Sequence, residues 1–327
     1  SIAFNASDFA GNENINGMHY VTQSITIGST NPITLEAGDL ILTNLDGATF
    51  VSNGVSPPAN LDVAAEDIFF FRPDTAGDYS VGNFYLLMSD PFQSGTSIRG
   101  ITLVEQEIIL PDYTLNAGDF LFTRFGGAEL NDIWLMQTSA IDPTNGVTFP
   151  TVLKLIEGDD IGVDIEDRIY GLDILEQNIS LGGQSYNAGT ILITIDGNDT
   201  SDGMGSNSQF VENVDIAALS VTQTTLGSGA GNALVTASLF FDGHDVSDND
   251  VNFDNGNERI DALTLTVAIN NVPVASGNTV IASEDLPLVI GAGDFLYTDI
   301  ESDSLVSVTI SGLTLNGGTL THSGGTA

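Results

Sequence analysis

The densest set of potential ligands in the chain is the stretch DGHDVSDNDVNFD, which holds Asp242, Asp245, Asp248, Asp250 and Asp254. Calcium takes about six to eight oxygen donors at flexible geometry, and closely spaced Asp and Asn in a turn supply them. Crowded carboxylates repel and raise one another's pKa unless a cation sits among them. The stretch therefore reads either as a calcium site or as a solvated acidic loop. Asp159, Asp160 and Asp164 in EGDDIGVD repeat the arrangement one unit earlier. Asp196, Asn198, Asp199 and Asp202 begin like an EF-hand loop, but the sixth position lacks Gly and the twelfth lacks Glu. These last two groups read first as turn residues and second as calcium ligands.

Other chemistry finds little support. There is no cysteine, which excludes disulfides, zinc ribbons, iron–sulfur clusters and thiol catalysis. His19, His244 and His322 are scattered and have no motif neighbour. GSGAG at Gly227 lacks the Lys-Ser/Thr of a phosphate-binding loop. Among 44 acidic residues no chosen carboxylate pair is informative for glycoside hydrolysis. Phe69, Phe70, Phe71 and Trp134 offer faces for stacking on sugars, although alternating strands more often bury such rings. The chain is expected to be non-enzymatic.

The elements that hold these residues follow from composition. Six Lys and Arg against 44 Asp and Glu give a formal charge of −38, yet 42% of the 327 residues are hydrophobic and 15% charged. That balance describes a folded chain with a core. It excludes phosphate-tracking nucleic-acid binding and disfavours an anionic membrane surface. No apolar run approaches a membrane span, so no membrane insertion is expected. Asp outnumbers Glu 31 to 13 and Lys154 is the single lysine. Such a chain favours turns and oxygen-donor sites over helices. Self-repulsion of this size calls for salt or divalent cations, as in brine or a calcium-rich exterior. The opening on Ser1 reads as a processed chain or a segment of a longer one.

Internal repeats set the architecture. A strand-like motif recurs as INGMHYVTQ from Ile15, IRGITLVEQ from Ile98, IYGLDILEQ from Ile169 and IDALTLTVA from Ile260. A second follows the first three as EAGDLILT from Glu36, NAGDFLFT from Asn116 and NAGTILIT from Asn187. Two further apolar runs follow, one opening on Asp67, Asp132 or Asp215 and one around Phe84, Val152 or Ser238. With Gly, Asn, Asp and Ser clusters between the runs and no sustained helical period, the fold class is all-β. We expect tandem four-stranded antiparallel repeats, propeller-blade-like or alternatively sandwich-like, at residues 36–115, 116–186 and 187–270. Residues 1–35 would hold the last two strands of a partial unit and a connection.

From Asn271 the texture changes. Asn271-x-Pro273, Ser283-Glu284-Asp285, Asp294-Phe295-Leu296-Tyr297-Thr298-Asp299 and Asn316-Gly317-Gly318-Thr319-Leu320 resemble the cadherin-like, VCBS-type tandem modules of giant secreted bacterial adhesins. The upstream repeats also look like units found beside such modules. The resemblance implies an Ig/cadherin-like β-sandwich over 271–327, truncated before closure, and acidic calcium ligands at Glu284, Asp285, Asp299, Glu301 and Asp303.

Together these readings point to a secreted or cell-surface segment, stabilised by Ca2+, of a repetitive bacterial surface protein, a stalk, fibre or biofilm-matrix subunit. Expected partners are other copies of the chain or neighbouring modules, meeting head to tail through β edges as a filament, and surface glycans. The alternatives are a carbohydrate-binding or carbohydrate-active β-propeller, and an acidic structural protein adapted to high salt.

Overall fold

The computed structural model describes residues 4–10, 14–28, 32–57, 59–91, 96–126, 129–138, 151–164, 167–197, 203–227, 231–243, 260, 262–265, 274–276, 279, 281, 287–298, 321–322 and 325–326. The chain divides into two units, Ser1–Thr266 and Val267–Ala327. Among the described residues there is no α-helix, only strands and single-turn 3-10 segments.

The first unit contains three four-stranded antiparallel sheets. Sheet 1 uses β1 (Ile15–Tyr20), β4 (Leu40–Asn44), β7 (Ile68–Thr75) and β8 (Asp78–Met88), with hairpin β2 (Ile25–Ile27) and β3 (Ile33–Leu35) between the first two and hairpin β5 (Ala48–Ser52) and β6 (Ala59–Val63) before β7. Sheet 2 uses β9 (Ser97–Leu103), β12 (Phe120–Phe125), β13 (Ile133–Gln137) and β14 (Thr151–Ile156), with hairpin β10 (Ile108–Ile109) and β11 (Thr114–Leu115). Sheet 3 uses β15 (Ile169–Ile174), β18 (Ile191–Ile195), β19 (Ile216–Thr224) and β20 (Ala233–Phe241), with hairpin β16 (Ile179–Leu181) and β17 (Gln184–Tyr186). In each sheet the Ile-x-Gly strand pairs with the Ala-Gly-Asp/Thr strand, and the two later strands follow in order.

The phase of the repeat differs from the expected one. Each sheet starts at the Ile-x-Gly strand rather than at Glu36, Asn116 or Asn187, so β1 opens sheet 1 instead of closing an earlier unit. The two motifs alternate along the chain, and their order alone does not say which opens a unit. The intervening hairpin hid the pairing between them.

The strands opening Leu40-Ile41-Leu42, Phe120-Leu121-Phe122 and Ile191-Leu192-Ile193 are continuous in apolar residues because both faces are covered. Ile41, Ile68 and Phe70 of sheet 1 share a core with Ile101, Phe120 and Phe122 of sheet 2. Leu121, Ile133 and Leu135 on the opposite face of sheet 2 share another with Ile191, Ile193 and Leu219 of sheet 3. The sheets therefore stack face to face in chain order. Phe9 and Phe50 cover the outer face of sheet 1, and Leu263 and Leu265 pack against that of sheet 3.

Entering β4, β12 and β18, Gly38, Gly118 and Gly189 take φ of 98°, 94° and 87°, a conformation that favours glycine. The next residue closes the turn in sheets 1 and 2. Asp39 accepts the Glu36 N–H at 2.8 Å and Asp119 accepts the Asn116 N–H at 3.0 Å.

The second unit is described only in part. Its β21 (Val274–Ser276) pairs antiparallel with β22 (Leu296–Thr298), and β23 (Thr321–His322) with β24 (Gly325–Thr326). Before β22, the Asp294 carboxylate accepts the Gly291 N–H at 2.8 Å, as Asp39 and Asp119 do in their turns. Ala292-Gly293-Asp294-Phe295-Leu296-Tyr297-Thr298 differs from Ala117–Thr123 at one position, Tyr297 for Phe122. Residues that carry the resemblance to cadherin-like modules thus also carry the turn of the upstream repeats.

Candidate functional site

The first strands of the three sheets lie against one another, and a bulge in each brings the backbones close. Pairing shifts register next to Gly17, Gly100 and Gly171. A Cβ on Gly100 would lie 2.7 Å from the Tyr170 carbonyl oxygen, and one on Gly171 would lie 2.8 Å from Thr194 Oγ1, so neither position admits a side chain. A buried threonine bridges each seam. Thr43 donates to the Arg99 carbonyl at 3.4 Å, Thr123 to Ile169 at 3.2 Å and Thr194 to Ile260 at 2.7 Å. Ile260 and residues 262–265 thus continue the series as a fourth Ile-x-Gly/Ala segment. Thr264 Oγ1 accepts the Tyr20 N–H at 3.1 Å, which links the fourth segment to the first.

This packing gathers polar side chains from the fifth position of each motif. His19, Thr102 and Asp173 form a buried chain, with His19 Nδ1 3.0 Å from Thr102 Oγ1 and Thr102 donating to Asp173 Oδ1 at 2.8 Å. Asp173 also accepts the Leu265 N–H. Complete burial pushes Asp173 above the usual carboxylate range, although His19 and its hydrogen bonds pull the other way.

The eighth and ninth positions add a repeated clasp. Glu105 accepts the Thr22 N–H at 2.7 Å, the Thr22 hydroxyl at 2.8 Å and the Gln23 N–H at 2.7 Å, and it faces His19 Nε2 at 3.1 Å. Gln23 Nε2 donates to the Glu105 carbonyl at 3.2 Å. One repeat later, Glu176 accepts the Glu105 N–H, and Gln106 Nε2 donates to the Glu176 carbonyl at 2.9 Å. The two carboxyls differ in electrostatics. Burial alone would raise Glu105, but the hydrogen bonds from His19 and Thr22 outweigh it and hold the group below its ordinary range. Burial, with repulsion from Glu105, pushes Glu176 up to about 7.

Thr102, His19 and Glu105 share the connectivity of a hydroxyl–imidazole–carboxylate nucleophile. Thr102 has no exposed surface and its hydroxyl is held by Asp173, so in this arrangement no substrate reaches it. The cluster binds strands together rather than opening onto a cleft.

A second charged cluster surrounds the only lysine. Lys154 Nζ lies 2.7 Å from Asp132, 3.4 Å from Glu129 and 3.6 Å from Glu157, and 5.4 Å from the centre of the Trp134 ring. Burial opposes its charge, but the surrounding carboxylates, Asp132 foremost, raise its pKa on balance. Arg72 pairs with Asp39 and Glu36, Arg124 with Glu129 and Trp134, and Arg168 with Asp196, while Arg99 stacks on Phe125 and Tyr170. All five described basic side chains are thus turned onto the chain's own carboxylates or rings.

The expected calcium ligands fall in two classes. Asp242 is exposed at the end of β20, whereas Asp245, Asp248, Asp250, Asp254, Glu284, Asp285, Asp299, Glu301 and Asp303 lie outside the described residues. Asp159 and Asp160 are placed, but they do not converge. Asp159 accepts from Asn131 at 2.9 Å, and Asp160 from the Gly231 and Asn232 N–H groups at 2.6 and 2.7 Å. Asp164 is exposed. Among the described residues no group of three or more His, Asp or Glu is arranged to hold a metal ion. Phe69, Phe70 and Phe71 are buried in the cores, and Trp134 is half-buried, so these rings do not offer a sugar platform.

The cluster follows motif position rather than nearness along the chain, which is why no local motif marks it. His19, Thr102, Asp173 and Thr264 share one position, and Thr22, Glu105 and Glu176 another. No family model, curated protein or solved structure matches the chain.

Proposed function

We propose that the chain is a non-enzymatic structural or adhesive segment of a repetitive surface protein outside the cell, stabilised by calcium. The observation that carries the reading is the disposition of charge. The described basic residues are already committed to internal partners, so the large carboxylate excess must take its counter-charge from solvent cations. Calcium matches closely spaced Asp in turns, with Asp242, Asp245, Asp248, Asp250 and Asp254 as one site and Glu284, Asp285, Asp299, Glu301 and Asp303 as another. The structural half of the reading rests on polar groups that recur from repeat to repeat and bind one repeat to the next. Partners of this reading are further copies of the chain and surface glycans.

Equilibrium dialysis against calcium at about 0.15 M sodium chloride tests it, because screening suppresses diffuse counter-ion uptake more than site binding. Saturable uptake is expected, with loss when Asp242, Asp245, Asp248, Asp250 and Asp254 are all changed to Asn. Uptake no greater than that of magnesium, and unchanged in the variant, would instead favour an acidic protein adapted to salt.

A further inference from the structure

The two clasps at the eighth motif position have the same backbone geometry but opposite chemistry. In the first, Glu105 closes on Thr22, which supplies both an N–H and a hydroxyl, while His19 faces the carboxylate from β1. In the second, Glu176 closes on Glu105, whose side chain is itself a carboxylate and supplies only the backbone N–H. Thr102, not a histidine, occupies the fifth position of that repeat. A carboxylate thus replaces a donor hydroxyl, in a place where burial already disfavours charge.

We propose that the Glu105–Glu176 clasp is a pH-sensitive joint between the second and third repeats, closed when Glu176 is neutral and loosened when it ionises. Among the described residues, Glu176 is faced by Glu105 and His19. Glu105 repels its ionised form and His19 attracts it, and the hydrogen bonds given by the backbone N–H groups of Glu105 and Gln106 lower its pKa. Asp173 lies one strand turn back on β15 and is occupied by Thr102 and by the Leu265 and Ile174 N–H groups. On balance burial, with repulsion from Glu105, pushes Glu176 up to about 7.

The sign follows from linkage. A carboxyl raised in the closed state holds its proton there and releases it on opening, so closure is favoured at low pH and lost as pH rises through about 7. With an ordinary carboxylate pKa in the open form, the opening equilibrium rises about tenfold between roughly pH 6 and 8. The first clasp, with Glu105 held ionised, should not respond in that window.

Hydrogen exchange of the full chain, corrected for the intrinsic pH dependence of exchange, reads both clasps at once. The Glu105 amide should lose about tenfold protection between roughly pH 6 and 8, while the Thr22 and Gln23 amides keep theirs. Glu176→Gln keeps the acceptor oxygen without the titration, and its Glu105 amide should show a flat profile. Carbon NMR of the labelled Glu176 carboxyl gives the midpoint independently of any variant. A midpoint in the ordinary carboxylate range, or the same protection profile in wild type and Glu176→Gln, would overturn the proposal.

Discussion

The Thr123 hydroxyl lies 3.2 Å from the carbonyl oxygen of Ile169 in sheet 3 and accepts the Gly100 N–H of its own sheet at 2.9 Å, so one side chain joins backbone groups on the two sides of the seam between sheets 2 and 3. Thr194 does the same for Ile260 and Gly171. The bulges take Gly100 and Gly171 out of their strand ladders, and these hydroxyls accept the N–H groups thereby left out.

Replacing Thr123 by Val keeps the shape and removes the hydroxyl. The buried Gly100 N–H then loses its acceptor and the Ile169 carbonyl loses a donor, at a cost of about 1–3 kcal/mol for a group left unsatisfied. Urea unfolding should place Thr123→Val about 2 kcal/mol or more below wild type, whereas Thr236→Val, on the exposed face of β20, should change stability by about 0.5 kcal/mol at most. Equal effects at the two sites would show that the seam threonines do not join the sheets.

Lys154 neutralises a cluster in which its removal would leave the buried Asp132 without its cation, next to Glu129 and Glu157. Lys154→Met should cost about 3–5 kcal/mol at neutral pH, the range seen when one partner of a buried pair is deleted. Adding Asp132→Asn should restore part of the loss, since the Asn oxygen can still accept the Gly158 N–H that Asp132 accepts at 2.9 Å. A double variant less stable than Lys154→Met would contradict the charge argument.

The buried acids give the protein an unusual pH dependence. Burial raises Asp119, Asp173, Glu176 and Asp215, and each such group contributes stability below its ordinary pKa that is lost as pH rises through its folded value. Glu105 is shifted the other way, and its contribution is lost only as pH falls below the ordinary carboxylate range. In calcium-free buffer at constant ionic strength, the melting temperature should therefore be higher at roughly pH 5.5 than at roughly pH 8. A melting temperature that falls on acidification over that interval would contradict the assignment.

The all-β class and the repeat were legible because the recurring runs are apolar on both faces and punctuated by turn residues. Gly38, Gly118 and Gly189 announce the positive φ they adopt. The phase was not legible, since Ile15–Tyr20 and Leu40–Asn44 pair across a hairpin that the motif order does not reveal. The polar cluster was hidden for a different reason. His19, Thr102 and Asp173 have no common chemistry, and only packing makes one position of three strands converge. The acidic stretches Asp245–Asp254 and Glu301–Asp303 lie outside the described residues, so their arrangement around a cation stands on spacing.

The central claim, stabilisation by calcium, is tested most directly by melting the full chain in saturating calcium and after chelation, at equal ionic strength. A ligand at about a hundred times its dissociation constant adds about 2.7 kcal/mol per site to a folded state that alone binds it. For a chain of 327 residues each such site raises the melting temperature by about 4 °C. The expected result is a drop of at least that size on chelation, reversed by calcium and not by magnesium. A chelated protein that melts within about a degree of the calcium form would contradict specific structural calcium.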